Sequence, residues 1–194
     1  MIVSILREAG YVEAILGLSL SYGTDMETAK KTAKRLAPKD GGHNKFLESI
    51  YLWFDITAPR FWWQEADTYR LSTKQSESTM HTIQRRFLQQ DDFEYPICTG
   101  TLHSVNRLIE IYQKTTDADD LLQIKSLLPE GFLQRRIWVM NYKTLRNILL
   151  QRSTHRLPQW QQFCAYVRSS ALHPDLLPNA NPSDQDTFLK FPVS

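Results

Sequence analysis

The sequence predicts an α+β protein, a single compact domain with a small central sheet packed by helices. Two patterns lead to this fold class. In several segments apolar residues recur at helical spacing, and between them lie short apolar, aromatic and β-branched runs, which are typical of buried strands. The length of 194 residues suits one domain, because a chain of this size can bury a stable core.

Three short segments are predicted as strands. Residues 2–6 are apolar, residues 50–56 (Ile-Tyr-Leu-Trp-Phe-Asp-Ile) are aromatic and β-branched, and residues 132–140 resemble another strand. Residues 71–81 carry Ser or Thr at nearly every other position. That segment fits either an extended stretch or a loop, and both interpretations stay open.

Seven segments are predicted as helices, bounded by Gly, Pro and capping residues. Gly23 ends the first helix, and Pro59 suits the first turn of the third. Asn141 is placed to cap a later helix, because its side-chain oxygen can accept an orphan backbone N–H. The predicted segments are 11–20, 26–36, 59 to about 70, 101–113, 118–126, 142–152 and 158–171.

The chain has no internal repeat and no linker, so one domain is predicted over residues 1–178. Prolines at 174, 178 and 182 mark the end of the sequence as irregular. Residues 179–194 are therefore expected to form a C-terminal arm or a loose tail.

Composition indicates a soluble intracellular protein. The 23 basic and 21 acidic residues leave a net charge of +2, which gives no reason to expect DNA, RNA or membrane binding. No apolar run has the length of a membrane span, and the N-terminus lacks the pattern of a signal peptide. Cys98 and Cys164 belong to no Cys-x-x-Cys pair, so we expect free thiols in a reducing cytoplasm.

Single motifs carry little chemistry in this sequence. It has no Gly-rich phosphate loop, no zinc-ligand spacing and no hydrolase elbow, and its five histidines are scattered. Taken one at a time, its polar residues are typical of surface or capping positions. The order of several segments along the chain is more informative.

The first half of the chain resembles the flavin-dependent thymidylate synthases. Leu-Ser-Leu-Ser-Tyr-Gly at 18–23 and Gly-His-Asn-Lys-Phe-Leu-Glu at 42–48 stand ahead of the aromatic strand. That family has a Gly-His pair followed five residues later by Glu, before a Phe-rich strand. Thr-Tyr-Arg at 68–70 falls where the family has Arg-His-Arg. The segment 75–81, Gln-Ser-Glu-Ser-Thr-Met-His, matches its Asn-Glu-x-Ser-x-Arg-Tyr.

The second half continues the resemblance in the same order. Leu-Pro at 128–129, Trp-Val-Met-Asn at 138–141 and the pair Asn147 and Arg152 match a Leu-Pro, a Thr-Met-Asn and an Asn-x-x-x-x-Arg helix. Leu-Pro-Gln-Trp at 157–160 follows where the family has Ala-Gln-Trp, with a short insertion. The resemblance therefore covers nearly the whole chain.

The resemblance implies a reaction and an assembly. Such enzymes methylate C5 of dUMP with methylenetetrahydrofolate, while FAD carries hydride from NADPH. They are homotetramers whose active sites form between subunits, and they use no cysteine nucleophile. A close variant would act on another pyrimidine deoxynucleotide or transfer another one-carbon unit, such as hydroxymethyl.

The resemblance also implies roles for individual residues. Arg152 is the expected catalytic residue at the pyrimidine ring, where a guanidinium can pair with carbonyl oxygens and stabilise charge developing on the base. Ser78, Glu77 and Lys125 are the expected substrate-binding residues, with Lys125 in the place of a family arginine. The expected cofactor-binding residues are His43, Glu48, Arg70, Asn147 and His155.

The sequence departs from the family pattern at several polar positions. Thr68 and Tyr69 replace an arginine and a histidine, and Met80 stands where the family has a phosphate-binding arginine. A thioether cannot replace a bidentate Arg–phosphate contact. These departures leave a second interpretation open, a non-catalytic nucleotide-binding protein that keeps the fold.

Four of the implied site residues also have an interpretation without a ligand. Arg152 could stabilise a helix end through the helix dipole, and His43 after two glycines could be only a turn residue. Glu48 could pair with a neighbouring lysine, and Ser78 could belong to an ordinary exposed segment. For Trp53, Trp62 and Trp63 we favour a place in the core or a subunit interface over base stacking.

Overall fold

The computed structural model describes residues 1–179, so the predicted arm lies outside the described residues apart from Asn179. Four strands and eight helices form this part of the chain. The strands are β1 Ile2–Ala9, β2 Tyr51–Pro59, β3 Ser72–Ser76 and β4 Leu133–Asn141. The helices are α1 Tyr11–Tyr22, α2 Met26–Leu36, α3 Arg60–Ala66, α4 Thr79–Thr82, α5 Thr99–Thr115, α6 Ala118–Leu127, α7 Tyr142–Arg152 and α8 Pro158–Ser170.

The four strands form one antiparallel sheet in the order β1-β2-β4-β3. The end of β3 meets the start of β4, where the Glu77 amide donates to the Arg135 carbonyl at 2.9 Å. In β2 the buried residues alternate with less buried ones, as expected when one face of a strand covers a core. The predicted α+β class is confirmed.

The chain forms two compact units, and every strand contributes residues to both. The first unit contains Met1–Ile2, Ile56–Thr68 and Lys74–Ile137. The second contains Val3–Asp55, Tyr69–Thr73 and, within the described residues, the chain from Trp138 to Asn179.

The core of the first unit is built by α5, α6 and the chain between α4 and α5. Its tryptophans are fully buried: Trp62 and Trp63 pack edge to face with their ring centroids 4.8 Å apart. The predicted core role of these two tryptophans is confirmed. The buried apolar cluster consists of Ile83, Leu88, Phe93, Val105, Ile109, Leu121, Ile124 and Leu128.

The core of the second unit is built around α7 and α8. Phe163 of α8 contacts the aromatic rings of Phe54, Trp138 and Trp160, with centroid distances of 5.5, 5.8 and 6.0 Å. On α7, Leu145, Ile148 and Leu149 are buried. These contacts fix the position of α7, the helix that carries Asn147 and Arg152.

Two local features determine where helices begin in the second unit. Asn141 caps α7 as predicted, because its Oδ1 accepts from the Thr144 amide at 2.9 Å. Gly10, between β1 and α1, has φ +91°, and a Cβ there would lie 2.1 Å from the Ser49 carbonyl oxygen. Only glycine fits this junction.

The structure differs from the predicted elements around α3 and β3. Helix α3 ends at Ala66 rather than near Arg70, and the Thr68 hydroxyl donates to the Glu65 carbonyl at 2.7 Å where the helix stops. Within the open segment 71–81, residues 72–76 form a strand and 79–82 a short helix. None of the helices within residues 1–179 has the length and apolar composition that crossing a bilayer requires.

Candidate active site

Arg152, at the C-terminal end of α7, is held by two aromatic residues. Its Nε donates to the Tyr69 hydroxyl at 2.8 Å. Its guanidinium carbon lies 4.9 Å from the centroid of the Trp160 ring and 5.6 Å from that of Tyr69. Cation–π contacts at these distances stabilise a guanidinium and restrict its orientation. The predicted catalytic residue therefore has a defined position.

A chain of hydrogen bonds connects Arg152 to Asn147. The Tyr69 hydroxyl donates to Gln151 Oε1 at 2.9 Å, and Gln151 Nε2 donates to Asn147 Oδ1 at 3.0 Å. Asn147 and Gln151 are four residues apart, so they are neighbours on the helix surface. Sequence reasoning missed both Tyr69 and Gln151 as site residues. The spacing of Gln151 from Asn147 is the signal that could have found one of them.

His155 lies in the turn between α7 and α8. Its amide donates to the Arg152 carbonyl at 3.2 Å, and its Nδ1 accepts from the Leu157 amide at 3.2 Å. This bond fixes the orientation of the His155 ring in the turn. The turn thus links the end of α7 to Trp160, the ring that supports Arg152.

Arg70 directly follows Tyr69, with an exposed side chain where Tyr69 is buried. The Thr144 hydroxyl donates to the Leu71 carbonyl at 3.2 Å and ties this segment to α7. Arg70, Asn147, Arg152 and His155 are therefore brought to one region of the second unit.

His43 and Glu48 line a different cavity of the second unit, with a volume of about 670 Å³. It lies between α1 and the 3-10 turn Lys45–Ser49, and Asn141 also contributes to its wall. Glu48 Oε1 pairs with Lys143 Nζ at 2.5 Å. The expectation that Glu48 could pair with a neighbouring lysine is thus confirmed, and Arg70, Asn147 and His155 are not among the residues that line this cavity.

The cavity is large enough for part of an aromatic cofactor, and its wall is more polar than apolar. Small-molecule and cofactor sites measure about 300–1,000 Å³, with mostly apolar and aromatic walls and a few polar groups. The aromatic residues Phe46 and Tyr51 could contact a ring, while Glu13, Lys45 and Glu48 make the wall largely polar. At Gly17 an added Cβ would have no other heavy atom within 4 Å, so the wall stays open there. The residues present are therefore compatible with part of a flavin.

Ser78 and Glu77 lie in the first unit, at the end of β3. Gln134 Nε2 donates to the Glu77 carbonyl at 3.1 Å, which with the Arg135 bond fixes the backbone. Ser78 precedes α4 without capping it through its side chain. Met80 is 40% exposed and supplies no cation. This segment presents an exposed hydroxyl and an exposed carboxylate.

Lys125 lies on α6, also in the first unit, and is partly exposed. In residues 1–179 no hydrogen bond or salt bridge joins it to Glu77 or Ser78. Within the described residues, Lys125 therefore has no polar contact with the other two.

Two arginines that sequence reasoning missed lie near Glu77. Arg86 and Arg135 line a cavity of about 390 Å³ together with Glu77. Arg86 donates hydrogen bonds to both carboxylate oxygens of Asp92, which raises the pKa of Arg86. Asp91 and Asp92 also line this cavity, so acidic groups offset its basic ones.

The two cysteines differ in environment. Burial raises the pKa of the Cys164 thiol to about 12. Cys98 is exposed, and hydrogen bonds from the side chain and backbone of Thr101 lower the pKa of its thiol. Cys164 is thus an unreactive core residue.

The small antiparallel sheet and its helices define the class of the protein, since the flavin-dependent thymidylate synthases share this fold. ThyX from Helicobacter pylori, solved with FAD and dUMP, has a TM-score of 0.74 at 18% identity, covering 91% of this chain and 98% of that chain. A second ThyX structure from the same organism, also with FAD and dUMP, has a TM-score of 0.71 at 18% identity, covering 98% and 100%. At this identity the likeness is one of fold.

The family model of the thymidylate synthase complementing protein matches residues 11–165, and the chain belongs to this family. The resemblance found in the sequence is thereby confirmed. The structural neighbours are flavin-dependent thymidylate synthases, and the family is therefore one of enzymes. No curated protein sequence matches the chain.

Proposed function

We propose that the protein transfers a one-carbon unit to C5 of a pyrimidine deoxynucleotide, with conversion of dUMP to dTMP as the default reaction. In this proposal FAD supplies hydride taken from NADPH, and methylenetetrahydrofolate supplies the carbon. The proposed setting is the cytoplasm, which the two free cysteines support.

The arrangement of Arg152 is the observation that carries this proposal. A guanidinium held on Trp160 and bonded to Tyr69 is preorganised to pair with the carbonyl oxygens of a pyrimidine. Such a fixed cation stabilises negative charge that develops on the base during attack at C5. A cation that served only the helix end would need no anchoring of this kind.

The remaining proposed contacts divide into nucleotide and flavin contacts. The exposed Ser78 hydroxyl and the Lys125 ammonium would meet the nucleotide phosphate, with Glu77 beside the sugar. His43 and Glu48 would line one part of the flavin site from their cavity. Three further residues of the flavin site would be Arg70, Asn147 and His155.

We propose that these groups complete one another in a homotetramer with shared sites. Helix α1 supports an interface, because it is apolar on its outer side as well as its inner side. Val12, Leu16 and Leu20 are spaced four residues apart and are 63%, 49% and 76% exposed. An exposed stripe of large apolar residues marks an interaction surface.

Light scattering tests the assembly directly. We expect a tetramer at micromolar concentration, and Leu16→Lys should dissociate it by placing a charge in the apolar stripe. Lys31→Leu, on the exposed side of α2, should leave the mass unchanged. A stable monomer of the unaltered chain would contradict the shared-site proposal.

The reaction is tested with purified protein. We expect a yellow sample with a flavin absorption band, and we expect dTMP when dUMP, methylenetetrahydrofolate and NADPH are supplied. Mass spectrometry of the nucleotide would reveal a hydroxymethyl product by its mass. A protein that takes up no FAD and forms no modified nucleotide would contradict the proposal.

A non-catalytic nucleotide-binding protein is the second candidate, and the exposed Met80 favours it. Without the arginine, one charge-assisted contact to the nucleotide phosphate is lost. Calorimetry with dUMP and absorption spectroscopy after incubation with FAD distinguish the candidates. A colourless protein that binds dUMP but takes up no FAD would support this second function.

A further inference from the structure

Tyr69 occupies the position where the family pattern has a histidine. Its side chain is 8% exposed, and its hydroxyl makes two hydrogen bonds, accepting from Arg152 and donating to Gln151. Its ring also lies edge to face with Trp160 at a centroid distance of 6.0 Å. Tyr69 therefore contacts both Arg152 and the ring that supports it.

The chemistry of the groups fixes the direction of each hydrogen bond. An arginine Nε–H can only donate, so the Tyr69 oxygen accepts and its single proton is directed to Gln151 Oε1. Gln151 then presents its amide nitrogen to Asn147, and Asn147 accepts through Oδ1. In this order the Asn147 Nδ2 group points away from Gln151 as a donor.

We propose that Tyr69 is a positioning residue for the nucleotide and flavin contacts: it sets the orientation of the Arg152 guanidinium and, through Gln151, that of the Asn147 amide. That Arg152 binds the nucleotide and Asn147 the flavin rests on the proposed function. The replacement of histidine by Tyr69 is then a change in how Arg152 is held. It is not simply the loss of a cofactor contact.

A tyrosine suits this role better than a protonated imidazole would. The phenol is neutral, so it accepts from the guanidinium without charge repulsion, and one oxygen can accept and donate at the same time. The Nε bond together with ring contacts fixes the plane of the guanidinium. That plane determines the direction of the Nη donors that a bidentate contact requires.

Tyr69→Phe tests the proposal by removing only the hydroxyl. Tyr166→Phe is the matched control, because the Tyr166 hydroxyl accepts from the Ile5 amide at 3.1 Å and has no link to Arg152. We expect dUMP to bind roughly 10-fold more weakly to Tyr69→Phe and unchanged to Tyr166→Phe. In the background of Arg152→Lys, adding Tyr69→Phe should cause no further loss of dUMP affinity, because in this proposal the hydroxyl reaches the nucleotide through Arg152 and its Gln151–Asn147 route serves the flavin contact.

The NMR signal of the Arg152 Nε–H in ligand-free protein gives a readout that is independent of the reaction. It should exchange slowly in the unaltered chain and in Tyr166→Phe, and be lost in Tyr69→Phe. Persistence of the signal in Tyr69→Phe, or additive losses of dUMP affinity, would overturn the inference. If the signal behaves as expected but no variant binds dUMP, the proposed function fails while the positioning of Arg152 by Tyr69 stands.

Discussion

Two regions depart from the family pattern, and they differ in what surrounds the changed residue. By the motif match, Met80 stands at the place of a family arginine, on α4, a helix of four residues with none buried. By the same match, Tyr69 stands at the place of a family histidine, in a buried position where its hydroxyl bonds to Arg152 and Gln151. A changed residue can take over an orienting function where neighbours contact it. An exposed thioether cannot reproduce a lost charge.

The scaffolds of the two regions explain this difference. Helix α7 has 11 residues, is capped by Asn141 and buries one face in the second unit. Ser78 and Met80 follow the edge strand β3, and both are exposed. Sites on rigid elements hold side chains more accurately than sites on short exposed segments. We therefore expect the α7 region to dominate nucleotide recognition.

The largest expected effect is that of Arg152→Lys on dUMP binding. Lysine keeps the charge but loses the planar fork and the Nε bond to Tyr69. Loss of a bidentate charge-assisted contact should cost about 3 kcal/mol, or roughly 150-fold in Kd measured by calorimetry.

Arg168→Lys is the control for Arg152→Lys, because Arg168 is a partly buried arginine of α8 whose Nε donates to the Pro178 carbonyl. It should leave dUMP affinity unchanged. If Arg152→Lys keeps both ligand affinity and thermal stability, Arg152 is not a recognition residue and α7 loses its proposed dominance.

The second prediction tests whether Met80 limits the affinity of the Ser78 region for the nucleotide phosphate. Met80→Arg should restore a charge-assisted phosphate contact of about 1.5–3 kcal/mol and tighten dUMP binding roughly 10- to 150-fold. Met80→Leu, which adds no charge, should have no effect. Unchanged affinity in Met80→Arg would show that the phosphate binds elsewhere.

The fold was predictable where a local signal marks each end of an element. Helices 26–36 and 142–152 have the predicted bounds, and the Asn141 cap is confirmed. The predicted extension of α3 to about Arg70 is wrong. Its true end involves Thr68, and also Asp67, whose carboxylate pairs with Arg136 at 3.1 Å. A partner 69 positions away leaves no local pattern in the sequence.

The candidate site was predictable only as far as residue identities match the family. Arg152 and Asn147 are connected in the structure, and His43 and Glu48 share a cavity. The role of Tyr69 was not predictable, because its bond to Arg152 joins residues 83 positions apart. A comparison of sequences shows only that Tyr69 stands where the family has a histidine. The structure shows that its hydroxyl accepts a hydrogen bond from Arg152.

The third prediction concerns the contribution of Ser78. Ser78→Ala should weaken dUMP binding by about 0.5–1.5 kcal/mol, or roughly 2- to 12-fold, because one hydrogen bond to phosphate is lost. Ser169→Ala, at an exposed serine of α8, should change nothing. A loss as large as that from Arg152→Lys would reverse the ranking of the two regions.

The smallest expected effect is a pH dependence of the stability of the second unit. The His173 ring stacks on Tyr11 at a centroid distance of 3.5 Å, and burial lowers its pKa from the ordinary 6.5, with partial opposition from Glu8 and Asp175. The folded state therefore favours the neutral ring. The stability that the neutral His173 ring contributes is therefore complete above about pH 6.5 and is lost as the pH falls below that value.

Hydrogen exchange, corrected for intrinsic rates, should then show acid loosening amides of the second unit, which contains α7, before those of the first. His173→Gln keeps a polar side chain and removes the titration, so it should reduce this difference between the units. Equal loosening of both units, or a difference that persists in His173→Gln, would mean that other groups set the acid response. The stability of the Arg152 region would then not depend on His173.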